Sequence, residues 1–351
     1  MTRLLKQIWK HKALPKQEAG LIVVILVMGG AITLFSDRVT YRDAQDGKRY
    51  QVNRFLQPKN MDQLIKDTSF FAIMAVGATF IIISGGIDLS VGSVYCLAAI
   101  SGAIIFNKLG PGGAGLSPGV VVPLGILVCL TVGTLCGLLN GLLIVGLNVH
   151  PFIITLGMMA ILRGVAFVMT KGLSVTGFPD AFTDGLIRLN VGGFYPVPMA
   201  IMLAVTIGGA VLLQKTAAGR HVYAIGGNEL AGRFSGVPVN RMKVLIYMLG
   251  GLTAGIAAMI YLGYYGSAAS NAGYGYELEV IAAAVVGGAS LTGGKGTAFG
   301  AMLGALLIRM IDNAVVSLQI DQNYSRIIIG AVIIIAVVLD QASGYIRKRK
   351  A

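Results

Sequence analysis

The chain has 351 residues, 55% of them hydrophobic and only 12% charged, with mean hydropathy +0.77. Soluble domains carry about 25% charged residues, so a water-soluble fold of this length is excluded. The net charge of +13 would suggest nucleic acid as a partner of a soluble protein, but most Lys and Arg here lie between apolar runs or at the two ends, where they set membrane topology, and no nucleic-acid partner is expected.

Residues 1–19 form a basic N-terminal segment. The apolar stretch after it, 20–35, resembles a signal peptide, yet no small-x-small cleavage site follows promptly and many apolar runs come later. It is expected to be an uncleaved first span with its N-terminus in the cytoplasm. Apolar runs of about 18 residues are candidate membrane helices, with shorter ones possible in a bundle. They fall next near 67–84, 89–106, 119–146, 151–170, 196–214, 244–263, 277–291, 297–318 and 325–342. The expected fold class is therefore an all-α polytopic membrane protein of about ten helices with both termini cytoplasmic. Residues 20–342 read as a single transmembrane domain with a long cytoplasmic loop at 215–243, followed by a basic tail at 343–351. Fifteen Lys and Arg fall on the cytoplasmic side of this topology and eleven on the outer side. Seven of the eleven lie in one segment, 36–66, beside Asp37, Asp43, Asp46 and Asp62, in tension with the positive-inside rule.

Between the second and third spans the sequence reads "SGGIDLSVGS" (84–93). Two readings of Asp88 stay open. Its carboxylate caps the next helix on the N–H groups of Leu89, Ser90 and Val91, or it binds an ion or proton at a helix break. Ser90, Ser93, Asn140 and Thr155 offer hydrogen bonds either to a polar solute or to neighbouring helices. Arg163 either neutralises a carboxylate or lines a path, since a charge within a span costs about 2.5–3.5 kcal/mol on insertion scales. Arg309 and Asp312, three apart, read as a structural ion pair. Gly133, Gly137 and Gly141, and likewise Gly296, Gly300 and Gly304, recur every four residues, which places each set on one helix face open to close packing. The stretch "VGGASLTGGK" (286–295) echoes 84–93, with Ser290 in place of Asp88, and points to an internal duplication.

In the 215–243 loop, Asn228 suits an N-cap and Glu229 a first turn. Leu230 and Phe234 share a face, and Gly236 with Pro238 beyond it ends the helix. Such a short helix, offering Leu230, Arg233 and Phe234, is either an ordinary surface element or a docking element for a soluble partner. No catalytic constellation is present. The three cysteines and three histidines lack ligand spacing, so no metal is expected. Residues 288–296 fail as a phosphate-binding loop, because position 289 is Ala and Lys295 is followed by Gly296 instead of Ser or Thr. The chain is not expected to be an enzyme or to hold a nucleotide.

Five stretches, "GGIDLSVGS" (85–93), "GLLNGLLI" (137–144), "HPFIITLGMMAILRG" (150–164), "GRHVYAIGGNELAGRFSGVPVNRMK" (219–243) and "GYELEVIAAAVVGGASLTGGKGT" (275–297), together resemble permease subunits of sugar ABC importers. These are the ribose, xylose and galactose type, related to branched-chain amino acid permeases, and the resemblance covers about 67–342. It implies a ten-helix permease of a bacterial inner membrane, paired with a second copy or a related permease around a central path. It implies two cytoplasmic ATPase subunits that hold ATP and Mg, and an extracytoplasmic sugar-binding protein. It also implies that 228–236 is the coupling helix, with Asn228, Glu229, Leu230, Ala231, Arg233, Phe234, Ser235 and Gly236 meeting the ATPase. The expected function is import of a pentose or hexose by alternating access. The alternative is an ion-coupled secondary transporter using Asp88. Two features depart from the family: Gly232 stands where alanine is usual, so docking is expected to help form the helix, and the charged segment 36–60 is longer than usual.

Overall fold

The computed structural model describes residues 16–42, 49–325, 327–332, 334, 335 and 338. Most of the basic N-terminal segment, residues 43–48 of the charged segment, the end of the tenth expected span and the basic tail lie outside them. The helices in chain order are α1 Lys16–Phe35, α2 Pro58–Ile83, α3 Val91–Leu109, α4 Pro118–Leu147, α5 Pro151–Thr170, α6 Pro196–Lys215, α7 Ala217–Gly227, α8 Glu229–Phe234, α9 Val239–Tyr265, α10 Tyr276–Val286 and α11 Ala298–Ser317. All but α7, α8 and α10 are long and apolar enough to cross a membrane. The described residues from 323 to 338 are helical as well. Prolines open α2, α4, α5 and α6, where a missing N–H costs nothing because the first turn has no acceptor for it.

Three elements differ from the expectation. The charged segment folds into a hairpin, β1 Arg38–Arg42 antiparallel to β2 Arg49–Asn53, built on Val, Thr and Tyr, which favour strands. Asn53 donates to the Thr33 carbonyl (2.7 Å) and Ser36 to that of Ser317 (3.2 Å), which ties the hairpin base to the ends of α1 and α11. Next, α2 starts at Pro58 rather than 67. Its early charges are partnered inside the bundle: Asp62 accepts from the Tyr195 N–H (3.2 Å), and the Lys66 ammonium lies 3.4 Å from the Tyr264 ring centre. Finally, the span expected at 277–291 is only the 11-residue α10, too short to cross a bilayer. It stops at Gly287, and Gly288 follows in the left-handed region at φ 101°.

Helices α2 and α9 form the centre, while α1 lies on the periphery, with 11% of its apolar window buried against 89% for α2. The first glycine ladder is the α4–α9 contact. A Cβ on Gly137 would stand 2.2 Å from the Tyr247 carbonyl oxygen, and one on Gly133 2.4 Å from that of Gly251, while Gly141 faces the Val244 Cα. In the second ladder, Gly300 and Gly304 press on the carbonyls of Gly287 and Ala283. Gly296 is not on that helix face. It precedes α11, whose N-cap is Thr297 with its hydroxyl accepting from Gly300 N–H (2.9 Å).

Candidate functional site

Helix α8 is held from both ends of its own sequence. The Asn228 side chain accepts from Ala231 N–H (3.0 Å), and Gly236, at φ 82°, turns the chain while Val237 N–H reaches back to the Gly232 carbonyl (3.0 Å). Glu229 accepts from Arg233 (2.9 Å) and from Lys243 of α9 (2.7 Å), and Arg233 also reaches Asn240 (3.0 Å). Burial pushes the Glu229 carboxyl up, but the hydrogen bonds and charges of Lys243 and Arg233 outweigh it and hold the group below the usual glutamate range. The helix is complete in the chain itself, so its cap and ion pairs offset the cost of about 1 kcal/mol that Gly232 carries against alanine. Its opposite face is apolar and open: Leu230 is 68% exposed and Phe234 91%.

The break at 84–90 lies inward of α8. Gly85 takes φ 81°, which ends α2. Asp88 is buried, and one of its oxygens, Oδ1, accepts from both Ser90 N–H (2.7 Å) and Ser90 Oγ–H (2.6 Å). Asn140 of α4 donates to the same Ser90 oxygen (2.8 Å). The geometry is a turn closed on Ser90, not a carboxylate spread over Leu89, Ser90 and Val91, and Ser90 itself is the N-cap of α3. The Ile87 carbonyl accepts from Tyr247 of α9 (3.3 Å) and Thr155 of α5 (3.4 Å). Ser90, Ser93, Asn140 and Thr155 are fully buried and do not face open solvent in this conformation; Ser90, Asn140 and Thr155 brace the break.

The second of the echoing segments, 286–295, touches the end of α2 just before the first. Gly294 N–H donates to the Ile83 carbonyl (2.8 Å) at the end of α2. Ser290 sits against Thr292 (2.9 Å), and the N-cap of α11 is Thr297. Between the two segments lies Gly226, at the end of α7. A Cβ there would stand 1.6 Å from the Ile83 oxygen and 2.5 Å from the Gly294 nitrogen. Tyr223, one turn earlier, donates to the Gly296 carbonyl (2.7 Å).

Three residues escaped the sequence reading: Gly226, Lys243 and Tyr247. Lys243 and Tyr247 are four apart, which puts them on one face of α9, and two polar residues at that spacing opening an apolar span were the available signal. Nothing local distinguishes Gly226 from its neighbour Gly227.

A cavity of about 670 Å³ joins these parts, lined by Ser84, Gly85, Glu229, Arg233, Lys243 and Tyr247 among others. A smaller one of about 260 Å³ lies between α3, α5 and the 270–277 segment, with Ser93, Arg163, Tyr274 and Glu277 in its wall. The buried Ser93 Oγ and Glu277 Oε2 have no hydrogen-bond partner there. Among the described residues Arg163 makes no ion pair with a carboxylate. Its guanidinium donates to the carbonyls of Ser270 (3.3 Å), Ala272 and Gly273 (3.1 Å) and so fastens the segment before α10.

Residues 60–337 match the family described as "Branched-chain amino acid transport system / permease component". The ribose import permease protein RbsC of Escherichia coli is 39% identical over 288 residues, 82% of this chain and 87% of that protein. The protein of the same name in Bacillus subtilis is 39% identical over 291 residues, 82% and 86% of the two chains. The autoinducer 2 import system permease protein LsrD of Escherichia coli is 35% identical over 294 residues, 81% and 86%. No solved structure matches.

Proposed function

The chain belongs to the branched-chain amino acid transport system permease-component family, and from that premise we propose that it is the multi-pass inner-membrane permease subunit of an ATP-binding-cassette importer for a monosaccharide. The ribose import permeases to which it is similar support a pentose or hexose as cargo. Cytoplasmic ATPase subunits that carry ATP and Mg, an extracytoplasmic sugar-binding protein and a second permease complete the proposed assembly, with α8 and both termini on the cytoplasmic side.

The observation that carries this reading is a continuous mechanical link. Leu230 and Phe234 present an apolar face to a soluble partner. Behind them Glu229 is tied to Lys243, and one turn along α9 Tyr247 is tied to Ile87 in the break. A displacement of α8 by a closing ATPase pair therefore reaches the break through two hydrogen bonds and one rigid helix turn. The break is where a small rotation changes access, because the glycines at 85 and 86 leave α2 and α3 unconnected by helix. The chain supplies the path and the lever, and hydrolysis takes place on its partners.

The ion-coupled alternative is less well supported. Asp88 Oδ1 already holds two short hydrogen bonds from Ser90, which is what a structural turn requires, and among the described residues no ion pair reaches it.

The reading is tested at α8. Glu229→Ala removes the bond to Lys243 of α9, and Arg233→Glu removes the bond to Asn240 of α9 and sets a second carboxylate beside Glu229, neither touching a span. Both are expected to lower ATP hydrolysis stimulated by sugar-loaded binding protein by about tenfold, equivalent to about 1.4 kcal/mol of lost coupling, while membrane levels of the permease stay unchanged. Unchanged stimulation in both variants counts against the coupling role.

A further inference from the structure

A third cavity lies at the far end of α2 and belongs to none of the parts above. It has a volume of about 720 Å³. Asn60, Gln63 and Asp67 line it near the start of α2, whereas Ser84 and Gly85 at the end of α2 line the cavity beside α8. At 1.5 Å per residue the stretch of α2 between these lining residues separates the two mouths by roughly 26–38 Å. The stretch between them is apolar and buried: Ala72, Ile73, Met74 and Ala75 have no exposed surface.

The walls of this cavity are hydrogen-bonding on nearly all sides. Asp67, Glu279 and Asp312 bring carboxylates, Arg309 a guanidinium, and Gln63 and Asn323 amides. The arrangement discriminates among ligand charges. Arg309 pairs with Glu279 and with Asp312 (2.8 Å) and stacks 3.8 Å from the Phe71 ring centre, so its charge is already answered and an anion gains little. Gln63 donates to Asp67 Oδ2 (2.9 Å), while Oδ1 has Lys66 at 3.8 Å but no hydrogen-bond donor, and Arg309 Nε has no acceptor. The residues that line the space bring both kinds of group, carboxylate and amide acceptors beside amide and guanidinium donors. A hydroxyl both donates and accepts, and a ligand carrying several hydroxyls satisfies such a wall. A branched apolar side chain does not, because it would strand these groups unpaired.

We propose that this cavity is an entry vestibule that binds a neutral polyhydroxylated solute before it passes the α2 barrier. The proposal rests on the importer reading for its direction of travel and goes beyond it in giving the permease a sugar-contacting site of its own. The test uses the full-length permease in lipid nanodiscs without the binding protein, titrated with D-ribose and, in parallel, with L-leucine, read by saturation-transfer-difference NMR. Ribose is expected to give a saturable signal and leucine none. Asp67→Asn and, independently, Asn323→Ala on the exposed segment are each expected to weaken ribose binding by about fivefold, the loss of one hydrogen bond. If Asp67→Asn lowers the yield of folded protein, Asn323→Ala decides. No ribose signal, an equal leucine signal, or ribose binding untouched by Asn323→Ala overturns the vestibule. ATP-driven uptake by the assembled importer, measured separately, persists if the vestibule alone is wrong and is lost if the importer reading is wrong.

Discussion

Gly226→Ala is expected to reduce sugar-stimulated ATP hydrolysis and uptake at least tenfold and to lower the thermal midpoint of the permease, whereas Gly227→Ala stays near wild type. Helix propensity alone says the opposite, since alanine at either position of α7 should gain about 1 kcal/mol. The difference is space. The new methyl at 226 would lie 1.6 Å from the Ile83 oxygen and 2.5 Å from the Gly294 nitrogen, and both are backbone atoms already bonded to each other. At 227 a methyl meets nothing within 4 Å. Overpacking costs about 1–3 kcal/mol, occasionally more, and here no flexible side chain absorbs it, so the upper end is expected. The three-way joint of α7, α2 and the 287–297 segment must open for the methyl to fit. Scanning fluorimetry and hydrolysis assays on the two variants side by side check this, and equal behaviour of Gly226→Ala and Gly227→Ala would remove the joint from the mechanism.

At Asp88 the expected outcomes separate shape from charge. Asp88→Asn keeps an Oδ1 acceptor for both Ser90 donors, so uptake should stay within about threefold of wild type, a change below 1 kcal/mol. Asp88→Leu leaves the Ser90 N–H and hydroxyl buried without an acceptor, at about 1–3 kcal/mol for each stranded group, and loosens the Ser90 oxygen to which Asn140 donates. Folded yield and uptake should both fall by more than tenfold. Loss of uptake in well-folded Asp88→Asn protein would show that the charge itself is used and would revive ion coupling.

The sequence carried much of this. Of about ten spans expected from composition and apolar run length, eight correspond among the described residues to helices long and apolar enough to cross a membrane, and the cap-and-stop signals at Asn228, Glu229 and Gly236 marked α8. Spacing rules apply within one element, and the misreadings come where elements meet. A Lys at 66 and an Asp at 62 look too polar for a span until Tyr264 and the Tyr195 N–H, more than a hundred residues away, supply their partners. The echo between 84–93 and 286–295 puts Ser290 in the place of Asp88, yet Asp88 closes a turn on Ser90, the N-cap of α3, whereas the N-cap of α11 is Thr297, seven residues after Ser290. The charged segment hid a hairpin because its alternation is short and the sequence between the two strands is rich in charge. Gly226 is indistinguishable from Gly227 in sequence, and only the approach of two distant carbonyl and amide groups sets it apart.

The central claim is that ATP hydrolysis on partner subunits drives a sugar through this chain. The most direct measurement is uptake of labelled D-ribose and related monosaccharides into proteoliposomes holding the permease, with its co-expressed ATPase inside and the loaded binding protein outside. Uptake that requires ATP and is indifferent to collapse of Na⁺ and proton gradients is the expected result. Uptake that continues without the ATPase and stops when an ion gradient is collapsed would contradict the account.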